Sequence, residues 1–115
     1  MTARKNMTQV TIKRTNGKIT EVKCLGHTDF GEEGADILCA SLSSIIQTAV
    51  LGLMQVACIP VEYKTEPSDG LLELKLTEKL DSEDRINADM ILETMLVGVA
   101  DLATEYGKFI KLVTK

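Results

Sequence analysis

Tryptophan is absent from this chain, and phenylalanine and tyrosine supply only two residues each. Any interior must therefore be filled by Leu, Ile, Val, Met and Ala. The 44% hydrophobic content is enough to give 115 residues one packed core, so a single domain spanning 1–115 is expected. Excess positive charge is also missing, since 13 basic residues face 17 acidic ones for a net charge of −4. No run of Lys and Arg is interleaved with rings. Nucleic-acid binding needs a phosphate-neutralising surface and commonly stacking platforms, so no direct nucleic-acid partner is expected. A basic protein or peptide would be steered toward such a chain instead.

Cysteine is scarce and odd in number: Cys24, Cys39 and Cys58, widely spaced, and no secretory leader is expected. That pattern does not make a disulfide framework and fits a reducing, cytoplasmic setting. Charge is missing altogether from residues 37–61, a stretch long enough to imitate a membrane span. Ser41, Ser44, Thr48 and Gln55 interrupt it, however, and at about 100° per residue they fall on one side of a helical wheel. A polar stripe of this kind marks an amphipathic helix in a folded domain, and no membrane partner is expected.

Residues 8–14 alternate with Val10 and Ile12 on one face, which is a strand pattern. Asn16-Gly17 suits a tight hairpin into a second strand at 19–25. Residues 26–35 (GHTDFGEEGA) form a glycine-rich acidic loop. A helix is expected over 37–57, ending before Pro60. Strands at 61–66 and 72–76 flank a Pro67-Ser68-Asp69-Gly70 turn, and Leu72, Leu74 and Leu76 alternate with Glu73 and Lys75. A second helix begins at Asp81 or Ser82 and runs to Tyr106, with Gly107 expected as its left-handed cap. Residues 109–114 close the chain as a strand, and residues 1–6 read as disordered. This order implies a two-layer α+β domain, with two helices packed on a mostly antiparallel sheet of about five strands.

Cys39 falls in the first turn of the long helix, with Asp36 as the expected N-cap. A helix N-terminus favours thiolate, the nucleophilic form of cysteine. His27, the only histidine, opens the loop that leads to that helix, and twelve residues separate it from Cys39. A returning loop of that length can bring imidazole to thiol, as a Cys–His dyad requires. Against this, Cys39 shares its wheel column with Ser43, Ile46, Val50 and Ala57, where a small thiol can equally be core filling. Cys24 and His27 form C-x-x-H, but zinc needs three or four ligands, and Cys58 lies too far along the helix to join Cys39; no metal is expected. Ser43, one turn beyond Cys39, could orient the thiol or simply bond its own backbone. Glu32 and Glu33 could attract a basic substrate, while Gly31 and Gly34 could hinge a flap over 28–35.

Gly26-His27-Thr28 and Gly34-Ala35-Asp36-Ile37-Leu38-Cys39-Ala40-Ser41-Leu42-Ser43 together resemble the two motifs of the ribosomal-processing cysteine protease family, Prp. These are G-H-A and G-x-D-I-V-C-A-A-V-S, joined by a glycine-containing loop of similar length. The continuation Gln47-Thr48-Ala49-Val50-Leu51-Gly52-Leu53 is similar as well, and the resemblance extends over nearly the whole chain. Thr28, Leu38 and Ser41 depart from the family's Ala, Val and Ala.

The resemblance implies a bacterial, cofactor-free cysteine endopeptidase with Cys39 and His27 as its dyad, Asp36 and Ser43 at supporting positions, and a substrate loop carrying Gly26, Gly31 and Gly34. Its implied substrate is the precursor of large-subunit ribosomal protein 27, shortened at its N-terminus, with phage capsid and scaffold proteins as further substrates. It also implies a homodimer. A non-catalytic domain that binds a ribosomal partner is the alternative, and a redox sensor using Cys24 to resolve Cys39 is a third possibility.

Overall fold

The structure is a computed structural model that describes residues 7–26, 35–77 and 79–115. Its elements run β1 (Thr8–Thr15), β2 (Lys18–Leu25), α1 (Ala35–Leu51), β3 (Val61–Glu66), β4 (Leu71–Leu76), α2 (Ser82–Glu105) and β5 (Ile110–Thr114). The sheet order is β3-β4-β2-β1-β5. Every neighbouring pair is antiparallel except β1 with β5. Both helices pack on one face, giving the two-layer α+β arrangement that the alternation of elements implies.

Asn16 and Gly17 both take positive φ, 54° and 82°, and so form the two-residue turn whose twist matches the strands it joins. β2 then departs from simple alternation. Lys13 pairs with Glu21 but Arg14 pairs with Ile19, so Thr20 is the extra residue of a bulge. The bulge lets Ile19, Val22 and Cys24 all face the core, whereas strict alternation from Ile19 would have buried Glu21 and Lys23.

Ile37–Val56 is long and apolar enough to cross a bilayer by length and composition. In the structure it is the core helix. Leu38, Leu42, Ile46, Ala49, Val50 and Leu53 are buried at helical spacing against the sheet, while Ser44, Thr48 and Gln55 are exposed. Ala88, Leu92, Met95 and Val99 do the same for α2. The helices approach each other where each has a glycine. A Cβ on Gly52 would lie 3.6 Å from Ile91, and one on Gly98 would lie 3.5 Å from Ile45.

Three helix termini differ from expectation. α1 opens at Ala35, so Asp36 lies within its first turn instead of capping it. At the other end the helix widens into a π-turn over Gly52–Val56. Cys58 follows at φ 57°, and the N–H of Ile59 donates to the Leu53 carbonyl at 2.8 Å. The left-handed cap therefore falls on a cysteine, where no glycine announces it. Gly107, conversely, does not take positive φ. Tyr106 ends α2, and its carbonyl accepts from the N–H groups of both Phe109 and Ile110. The α2 start meets expectation: the Asp81 carboxylate accepts from the Asp84 N–H at 2.8 Å.

The N-terminal half of α2 is clipped to the β1–β2 hairpin. Arg14 holds Glu93 in a two-pronged pair (2.7 and 3.2 Å), keeping that carboxyl below its ordinary range chiefly through the hydrogen bond. Arg85 bonds both Asp89 and the Ile19 carbonyl.

Candidate active site

Between the N-terminal half of α1 and the sheet lies a cleft of about 290 Å³. The helix wall presents Cys39, Ser43 and Gln47, whose i, i+4, i+8 spacing puts them in one row. The sheet wall opposite is Thr8 of β1, Cys24 of β2 and Leu72 of β4. Pro67, in the 3₁₀ turn Pro67–Asp69, and Gly70, at the turn's C-terminal end, form part of the rim together with Thr65 at the end of β3. Leu42 and Leu71 complete a lining that is mainly apolar with a few polar atoms, the composition expected of a small binding cleft.

Gly26 sits in this lining with φ 114°, a conformation open to glycine. Its N–H donates to the Gly70 carbonyl at 3.1 Å, which ties the end of β2 to the β3–β4 turn. A Cβ there would stand 2.8 Å from the Met7 carbonyl oxygen and 3.4 Å from the Thr8 Cα. The glycine is thus required both by its dihedral and by the backbone pressed against it.

The three thiols have different surroundings. Cys58 is exposed beyond the far end of the core helix, Cys39 is half-buried in the cleft, and Cys24 is buried opposite it. Burial, and secondarily the charge Cys39 can carry, pushes the Cys24 thiol up to about 12. Cys24 therefore stays neutral at working pH and contributes as core.

The buried thiol makes stability depend on pH. The folded state holds the Cys24 proton more tightly than the unfolded chain, so its contribution is complete below about pH 9 and is lost as pH rises toward 12. The stability advantage of the native protein over Cys24→Ala should accordingly shrink by up to about 1.4 kcal/mol per pH unit above pH 9. Urea melts of both proteins at pH 7.5, 9 and 10 measure it; a constant difference would contradict the burial argument.

Of the residues singled out from the sequence, Cys39, Ser43 and Gly26 come together in the cleft. His27, Gly31, Gly34, Glu32 and Glu33 lie outside the described residues, as does the side chain of Asp36. Among the described residues no three metal-ligating side chains converge. Sequence reasoning missed Gln47 and Thr8 as cleft residues. Gln47 could have been found by extending the Cys39–Ser43 row one more turn. Thr8 could have been noticed because it shares the inward phase of Val10 and Ile12, where a hydroxyl is out of place.

Residues 7–111 match the family model described as cysteine protease Prp. The ribosomal processing cysteine protease Prp of Bacillus subtilis (strain 168) is 28% identical over 109 residues, covering 94% of this chain and 97% of that protein. Among solved structures, the essential ribosomal processing protease Prp of S. aureus in complex with a substrate peptide superposes with a TM-score of 0.83 at 28% identity, over 95% of this chain and all of that one. The same S. aureus protease with a covalently linked product peptide gives 0.81 at 29% identity, with the same coverage. These matches span the core, the cleft and both sequence motifs, and set aside the non-catalytic alternative: the chain belongs to the Prp family of ribosomal-processing cysteine proteases.

Proposed function

We propose that this protease removes the N-terminal extension of large-subunit ribosomal protein 27, with Cys39 as nucleophile and His27 as general base. One observation carries the choice of thiol: Cys39 is the half-buried cysteine that lines the cleft near the start of α1, opposite a buried and neutral Cys24. A product peptide covalently linked to the related S. aureus protease is the expected outcome of thiol attack on a peptide carbonyl.

In the proposed reaction His27 takes the Cys39 proton and the sulfur adds to the scissile carbonyl. Collapse of the adduct breaks the C–N bond, and the proton passes to the leaving amine. Water, deprotonated by the same imidazole, then hydrolyses the thioester and regenerates the thiol. Backbone N–H groups of the first α1 turn would receive the developing oxyanion, because they have no partner within the helix. Ser43, in the same row as Cys39, would orient the thiol or the peptide. Asp36 would support the helix start or His27. The enzyme would act in the cytoplasm, where its substrate is assembled.

The test is incubation with the extended ribosomal protein followed by intact-mass analysis. A single cut that removes the N-terminal extension is expected. An unchanged substrate mass after prolonged incubation with folded protein would rule this substrate out.

We also propose a homodimer joined through the outer helix surface. Ile86, Met90 and Val97 form an exposed apolar row on α2, and Met90 borders a groove of about 530 Å³ between the helices. Sedimentation equilibrium should give twice the 12.6 kDa chain mass, and Met90→Asp should shift it toward monomer. A native protein that is monomeric at tens of micromolar would refute this assembly.

A further inference from the structure

Thr8 is the one buried polar residue among the described residues, 2% exposed on a sheet face otherwise lined with Val, Ile, Leu and Cys. It also lines the cleft. Its backbone is fixed, since it pairs in register with Ile110 of β5 and its N–H donates to the Phe109 carbonyl at 2.8 Å. Its hydroxyl donates to the Gly26 carbonyl at 3.4 Å. That contact is long for an O–H donor, and such bonds at active sites often tighten only when substrate is bound.

Burying a hydroxyl in an apolar layer is unfavourable unless it has a partner, and valine would fill the same volume without that cost. The hydroxyl is directed at one carbonyl, and that carbonyl belongs to the peptide unit joining Gly26 to His27. A peptide unit is planar. Gly26 is thus held through both of its peptide units: its N–H, in the unit shared with Leu25, donates to the Gly70 carbonyl, and its own carbonyl, in the unit shared with residue 27, accepts from Thr8.

We infer that Thr8 is a positioning residue for the cleavage reaction: its hydroxyl fixes the Gly26 peptide unit from which the catalytic histidine departs. The inference rests on the assignment of His27 as base. In this role Thr8 acts through the Gly26 carbonyl and takes no part itself in bond breaking or proton transfer. Losing its hydroxyl should therefore lower turnover through misplacement of the base while leaving peptide binding along the helix wall unchanged.

The experiment compares native protein, Thr8→Val, Thr8→Ser and His27→Ala on the extended ribosomal protein, each assayed well below its own melting temperature. Thr8→Val should lower kcat by roughly tenfold to a hundredfold, as small misplacements of catalytic groups do, with KM within about twofold. Thr8→Ser should recover most of the loss. If His27→Ala is inactive but Thr8→Val keeps native kcat, the role given to Thr8 is wrong and the base assignment survives. If His27→Ala retains native activity, the base assignment fails and this inference falls with it. Equal impairment of the Val and Ser variants, following their melting temperatures, would reduce Thr8 to a structural residue and overturn the proposal.

Discussion

Cys39→Ala is expected to lower the rate of peptide cleavage by at least about a thousandfold, because removing a nucleophile forfeits the covalent route altogether. The fold should survive. Cys39 is half-buried at the edge of the core, and removing one sulfur there should cost about 1 kcal/mol or less. Cys39→Ser should be nearly as inactive despite its similar shape, since a hydroxyl is much the poorer nucleophile without a base tuned to it. Cys24→Ala and Cys58→Ala supply the contrast. The first removes a buried thiol held neutral by its surroundings, and the second removes one exposed beyond the opposite end of the core helix. Both should keep most of the native kcat. Comparing product formation by mass spectrometry for the three alanine variants separates the thiols cleanly. Full activity in Cys39→Ala, or loss in Cys58→Ala alone, would show that the nucleophile has been misassigned.

How far the sequence reveals this arrangement depends on the range of the interaction concerned. Elements decided by local chemistry are legible: Asn16-Gly17 can satisfy two positive φ values, Leu72, Leu74 and Leu76 can face only inward, and Asp81 can cap only the helix on its C-terminal side. Features that depend on tertiary balance are not. The bulge at Thr20 exists because burying Ile19 together with Val22 outweighs ladder regularity, and only the assembled sheet makes that comparison. Cys58 adopts left-handed backbone because Ile59, buried at 1% exposure, draws the chain back beneath the helix. The parallel pairing of β1 with β5 is likewise invisible to periodicity, as alternation carries no direction. At the site, Cys39 and Ser43 were accessible through helical spacing. Gly26 was legible as a glycine before a candidate base, but its actual constraint, the carbonyl of Met7 at 2.8 Å from a Cβ, is a contact across the sheet edge.

That constraint makes Gly26 the residue outside the proposed dyad whose smallest change should have the largest effect. Two positions of positive φ offer a controlled comparison. At Gly17 (φ 82°) an added Cβ meets nothing within 4 Å, so Gly17→Ala bears only the dihedral cost, about 1 kcal/mol, in a turn remote from the cleft. At Gly26 (φ 114°) the same methyl adds a 2.8 Å approach to a backbone oxygen. Neither side can yield cheaply. Thr8, immediately after Met7, is held by Phe109, and Gly26 is held by Gly70. Gly26→Ala should therefore destabilise the fold by about 2–3 kcal/mol and lower kcat by about a hundredfold, since the relief available is to move the peptide unit that leads into His27. Urea denaturation and steady-state cleavage of both variants measure the two effects separately. If Gly26→Ala behaves like Gly17→Ala, with a small stability loss and native turnover, the geometry at the end of β2 does not govern the chemistry in the cleft.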